Sequence, residues 1–87
     1  MTISEKSPMP IGMILETSPR TMIRVGETLD SMRVNIGAPH HRGTANEWGA
    51  QKGPTEFFCY EGGGVFKVRT ALVFVDGKLV AIADWSA

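Results

Sequence analysis

VFKVRTALVFVDGKLVAIADW, residues 65–85, is the stretch that decides the fold, because it combines strand alternation with a defined turn. Asp76-Gly77 lies between two runs rich in Val, Ile, Leu and Phe. That dipeptide favours a two-residue type I′ turn, which needs positive φ at both central positions. Closing the hairpin with Val75 opposite Lys78 sets Phe74 against Leu79, Val73 against Val80, Leu72 against Ala81, Ala71 against Ile82 and Arg69 against Asp84. One face then carries Phe66, Val68, Leu72, Phe74, Leu79, Ala81 and Trp85. The other carries Ala71, Val73, Val75, Val80 and Ile82. Both faces are apolar, so each needs a cover from the chain or from a partner.

Working outward, 55–61, TEFFCYE, reads as a strand, and Gly62-Gly63-Gly64 as a tight turn into Val65. With a three-residue loop, Phe58 and Tyr60 join the bulky face and Phe57 and Cys59 the other. Before them, 38–54 has no periodicity and reads as a long loop, the kind of segment in which binding sites are sought. Thr28 to Ile36 carries the helix signal: Thr28 as N-cap, Asp30 near the positive end of the dipole, and Leu29, Met32 and Ile36 on one stripe. Gly37 and Pro39 end it. Further back, Ile11–Glu16 and Thr21–Val25 flank Thr17-Ser18-Pro19-Arg20 and read as a small hairpin or extended segment. A helix over Met9–Ile23 is the rival, opposed by Gly12 and Pro19. Residues 1–10 are polar and contain proline, and are expected to be mobile or loosely attached. The fold class expected is α+β in a single domain, 1–87: a short helix on a three-stranded antiparallel meander of about 55–61, 65–75 and 78–85, with the hairpin or extended segment at 11–25.

An 87-residue chain buries only about 60–65% of the surface its unfolded form exposes, so its core is small. Nine basic and nine acidic side chains cancel, leaving no general field to gather nucleic acid or anionic lipid. The single cysteine, Cys59, excludes an intrachain disulfide and a cysteine-rich zinc site. The start lacks the basic residues and the apolar run of a secretory signal, and no window approaches the roughly 20 apolar residues of a membrane-spanning helix. A soluble cytoplasmic protein is expected.

From Ile23 the chain reads Ile-Arg-Val-Gly26-Glu-Thr28, then after eight residues Ile36-Gly37-Ala-Pro39, followed by an aromatic strand and the Val-Phe-Val-Asp-Gly-Lys-Leu hairpin. This resembles the SmpA/OmlA family of small outer-membrane assembly lipoproteins and the related fold repeated in beta-lactamase inhibitor protein. There, Gly-x-Thr opens a short helix, Gly-x-Pro closes it, and antiparallel strands follow. The resemblance covers about two thirds of the chain and implies a small, non-enzymatic protein-binding scaffold. Membrane anchoring does not follow, because family members carry a lipid-modified cysteine near the start, and here Cys59 falls in a predicted strand. The family also places helix before its Gly-x-Thr, where this chain has Pro19 and strand-like runs.

His40, His41 and Arg42 form the most conspicuous polar cluster. Adjacent histidines on an extended segment diverge, so a shared metal would need a third ligand such as Glu47; a solvated loop or an anion contact fits better. Cys59 with a histidine lacks an orienting acid and reads as packing. The three glycines are followed by a strand rather than a helix, which excludes a phosphate loop. Lys67 and Arg69 beside Phe57 are too few for a nucleic-acid surface. Trp48 reads equally as an interface anchor or as a lid on the core. The function expected is a non-catalytic binding domain without cofactor or metal. It would engage a protein partner or form a homodimer through the sheet face of Ala71, Val73, Val75, Val80 and Ile82. The rival is a small-molecule binding protein whose pocket lies between helix, sheet and the 38–54 loop, lined by His40, His41, Arg42, Trp48 and Tyr60.

Overall fold

The computed structural model describes residues 1–17 and 21–87. Among the described residues, eight strands and one helix follow in the order β1 (Thr2–Ile3), β2 (Ile14–Glu16), β3 (Met22–Arg24), α1 (Leu29–Ile36), β4 (His41–Trp48), β5 (Gln51–Tyr60), β6 (Thr70–Val75), β7 (Lys78–Ala83) and β8 (Trp85–Ser86). The expected α+β fold with a three-stranded meander is corrected to a mostly-sheet architecture. Its main body is a four-stranded antiparallel sheet ordered β4-β5-β6-β7, accompanied by two small sheets, β2-β3 and β1-β8.

The fourth strand comes from the segment expected to be a loop. HRGTANEW has no apolar alternation because β4 borders the sheet and exposes six of its eight side chains, so the signal of a half-buried strand is missing. Gly49 and Ala50 turn the chain, and β5 starts at Gln51, four residues before Thr55.

A second correction concerns the central hairpin. Val75 pairs with Lys78 and Phe74 with Leu79, but Val73 then pairs with Ala81, Leu72 with Ile82 and Ala71 with Ala83. Val80 is the extra residue of a bulge, which shifts every later side chain by one place. Ala81 and Trp85 therefore join Phe57, Cys59, Ala71, Val73 and Val75 in one buried cluster, with Val80 half-buried against it. Ile82 moves to the opposite cluster, beside Phe58, Tyr60, Phe66, Leu72, Phe74 and Leu79.

The strand expected to run from Val65 begins only at Thr70. The glycine segment folds back on itself, Gly63 N–H donating to Phe66 O at 2.9 Å, and Phe66 tucks its ring 5.4 Å from that of Tyr60. A Cβ on Gly62 would lie 2.8 Å from the Lys67 carbonyl oxygen, so this close approach excludes any side chain there. The third expected strand likewise ends early, at Ala83. Arg69 then faces Glu61 rather than Asp84, and Asp84 pairs with Lys6 at 3.2 Å.

The helix stands where its caps set it. Thr28 Oγ1 accepts from Ser31 N–H at 3.3 Å, and Gly37, at φ +89°, donates its N–H to Arg33 O. Met32 and Ile36 are its buried residues; they join Ile23 of β3 in the cluster of Phe58 and Phe74. Ile14 pairs with Arg24, Leu15 with Ile23 and Glu16 with Met22, so the 11–25 segment is a hairpin. The turn expected at Thr17-Ser18-Pro19-Arg20 lies, from Ser18 to Arg20, outside the described residues. Helix and hairpin together cover the bulky face.

The other face is covered by the first nine residues. Ile3 pairs with Trp85 and packs on the cluster of Cys59 and Val73, Ser4 N–H donates to Asp84 O at 2.9 Å, and Met9 N–H donates to Val80 O at 2.8 Å. This strap is held by backbone bonds and by the polar side chains of Ser4, Glu5 and Lys6, so it carries no apolar pattern that marks its place. Among the described residues no helix is long and apolar enough to cross a membrane.

Candidate functional site

The candidate residues of the 38–54 segment do not converge on a pocket. Trp48 is buried: its indole N–H donates to Lys6 O at 3.2 Å, and its ring meets Phe57 at 5.5 Å. It is a clamp between β4 and the strap. Tyr60 is also buried, its hydroxyl donating to Gly37 O at 2.8 Å. Burial pushes this phenol up to about 12. Both aromatic residues fill the interior rather than line a cavity.

His40, His41 and Arg42 lie at the start of β4. His40 Nδ1 accepts the Glu61 N–H at 3.1 Å. His41 Nε2 lies 3.4 Å from Glu61 Oε2, and Arg69 Nε donates to Glu61 Oε1 at 3.0 Å. The Arg69 hydrogen bond, ahead of the smaller His41 contribution, holds the Glu61 carboxyl below the usual carboxylate range. Trp85 lies beneath this group, with the Arg69 guanidinium 4.8 Å from its ring centroid and the His41 ring 5.2 Å away. Arg42 instead pairs with Glu56 at 3.0 Å and lies over Phe58. The histidines thus serve one carboxylate and one backbone amide, and among the described residues no three His, Cys, Asp or Glu side chains are grouped to hold a metal. The arrangement is a local ion-pair network that ties β4, β5 and the loop before β6 together.

The candidate sheet face is closed by its own chain. Ala71, Val73 and Val75 are buried, Val80 is half-buried under the strap, and Ile82 lies on the opposite face. The reason for placing a dimer contact there is removed.

A cluster of exposed apolar side chains lies instead along the β2–β3 hairpin and the residues just before it. Ile11, Met13, Ile14 and Met22 are 79%, 42%, 52% and 55% exposed. Strand geometry accounts for two of them: Leu15 and Ile23 point into the core, so Ile14 and Met22 point out. Gly26, at φ +100°, lets the chain leave β3 and donate its N–H to Leu79 O at 2.7 Å. Beside it an open groove of about 650 Å³ is lined by Ile11, Gly12, Ile14 and Met22, with Arg24, Glu27 and Asn35 on its polar side. Glu27 is fixed there, accepting from Ser31 Oγ and Asn35 Nδ2, both at 2.6 Å, and from Arg24 N–H at 3.2 Å. The strand reading of 11–25 already carried this signal, since two short apolar strands in a hairpin leave half their side chains outward.

Comparison with family models, with curated proteins and with solved structures returns no match.

Proposed function

We propose that this chain is a non-catalytic protein-binding domain whose docking surface is the groove beside β2–β3. The observation that carries this reading is the concentration of Ile11, Met13, Ile14 and Met22 along one hairpin and the residues just before it, in a molecule that covers both faces of its main sheet. A small domain gains nothing in folding from large apolar groups left in water, and contiguous patches of this kind mark interaction sites. Two of the four are methionines, whose unbranched, polarizable side chains adapt to a partner's shape. The fixed Glu27 carboxylate and Arg24 supply a polar rim that orients an apolar segment of another protein. The SmpA/OmlA resemblance, carried by Gly26-Glu27-Thr28 and Gly37-Ala38-Pro39, points to the same class of role.

A photo-crosslinking residue placed at Met22, and separately at Val34, tests this in the native host. Val34 is 85% exposed but lies outside the groove, so the reading predicts a discrete protein adduct from position 22 and none from position 34. The adduct should vanish when Ile14 is changed to Asp. The same adduct from both positions, or its survival in the Ile14→Asp chain, refutes the assignment. A small apolar molecule in the same groove is the second reading, favoured by a volume within the usual range of ligand clefts. A ligand that raises the melting temperature of the intact chain, but not of a Met22→Asp variant, would establish it.

A further inference from the structure

The two borders of the main sheet are treated differently. Along β7, Gly26 N–H donates to Leu79 O at 2.7 Å, Leu79 N–H donates to Glu27 O at 2.8 Å, and Met9 N–H donates to Val80 O at 2.8 Å, so that border is in use. β4 forms the opposite border. Among the described residues no strand pairs with its outer side. Natural sheets protect such a border with proline, charged side chains, a bulge or a covering element. His41–Trp48 contains no proline, and its two charged side chains are drawn back onto β5, Arg42 to Glu56 and Glu47 to Lys52. The register break near Asn46 is absorbed by β5: Ala45 pairs with Thr55 and Glu47 with Lys52, so the extra residue is in β5 and β4 stays continuous.

We propose that β4 pairs with β4 of a second copy of this chain, joining two four-stranded sheets into one continuous sheet about a two-fold axis at Thr44. The register follows from symmetry and charge. A dyad between antiparallel strands stands perpendicular to the sheet and relates residues of one face, so one residue must oppose its own copy. Centring on Thr44 sets Gly43 opposite Ala45, Arg42 opposite Asn46 and His41 opposite Glu47 of the second copy. The basic start of each strand then meets the acidic end of the other, and no like charges face each other. Centring on Ala45 instead sets Arg42 against Trp48 and Glu47 against Gly43, with no complementarity. Gly43, Thr44 and Ala45 are small enough for close backbone approach, and a Thr–Thr cross-strand pair is favourable. This contact uses none of the groove residues and stands or falls independently of the groove.

Sedimentation velocity on the full chain over a wide concentration range tests it, together with Thr44→Lys and Thr44→Glu. Thr44 is exposed, so both variants are expected to fold, which thermal melting checks. Each variant alone places two like charges on the axis and should weaken dimerisation about tenfold or more. Mixed in equal amounts they place Lys against Glu and should return to a dimer. In the unsubstituted protein, exchange of alternate amides in 41–48 should slow as concentration rises. A chain that stays monomeric with concentration-independent exchange overturns the proposal. So does a dimer that both variants leave unchanged, which would put the contact elsewhere. If a variant fails to fold, the exchange of the unsubstituted chain decides.

Discussion

Replacing Tyr60 with Phe distinguishes a structural tyrosine from a ligand-binding one, and does so in two linked ways. The hydroxyl is 2.8 Å from the carbonyl oxygen of Gly37, the residue that caps α1, and the side chain is 3% exposed. Removing it orphans that carbonyl and costs about 1–2 kcal/mol at neutral pH. The pH dependence adds a signature. Burial raises this phenol from 10.0 to about 12, so between those values the unfolded chain ionises while the folded chain does not. A raised value in the folded state means the contribution is complete below pH 10 and is lost as pH climbs toward 12, amounting to roughly 2–3 kcal/mol. The Tyr60→Phe chain has no such loss. Its deficit should therefore shrink above pH 10, and the two stability curves should cross near pH 11. Urea unfolding followed by the fluorescence of Trp48 and Trp85, from pH 7 to 11.5, measures this. Equal stability at pH 7, or a gap that does not change with pH, would refute the burial and hydrogen bonding assigned to Tyr60.

Met32→Ala, at a fully buried position of α1, should cost about 2–5 kcal/mol and lower the urea midpoint accordingly. Deleting Val80 removes the bulge but leaves Leu79 opposite Phe74 and Ala81 opposite Val73 as successive regular pairs, so Trp85 keeps its 3.0 Å indole bond to Tyr60 O and the cost should stay near about 1 kcal/mol in the same assay, from the lost Met9 bond to Val80 O; a loss of several kcal/mol would contradict the observed register. Glu61 should titrate below ordinary glutamates by NMR, its contribution to stability being present above their usual range and fading as pH falls through the lowered value. Arg69→Gln should bring that titration back toward the ordinary range.

Much of the hairpin and helix is legible from local chemistry: Asp76-Gly77 sets the turn and its first two pairs, and Thr28 and Gly37 bound the helix. What escapes is physically instructive. A bulge in Leu-Val-Ala-Ile leaves no mark, because the residues on either side of the slip are all apolar and either register buries them. β4 is hidden because a border strand with exposed side chains carries no alternation. The strap is hidden because hydrogen bonds of its backbone and polar side chains hold a proline-containing segment in place without an apolar pattern of its own. These three elements account for the missing strand, the exchange of Ala81, Ile82 and Trp85 between faces, and the covered sheet face. His40, His41, Arg42 and Trp48 fall in the expected loop and Tyr60 in the expected strand beside it; with β4 in place of that loop, all five are engaged by structural partners. The hairpin reading of 11–25 implied that half of its apolar side chains face outward, but which ones do so, Ile14 and Met22, follows only from the pairing of Leu15 with Ile23.

The account depends on the strap of residues 1–9 sealing one side of the sheet, and Cys59 reports on it directly. This lone thiol is fully buried in the cluster against which Ile3 packs, and burial raises its pKa, which further slows reaction. Alkylation of Cys59 in the intact chain, followed as urea is increased, should track global unfolding, while an Ile3→Asp chain should label faster under native conditions. Rapid labelling of the intact native protein, at a rate that Ile3→Asp leaves unchanged, would show that face to be open and would contradict the account.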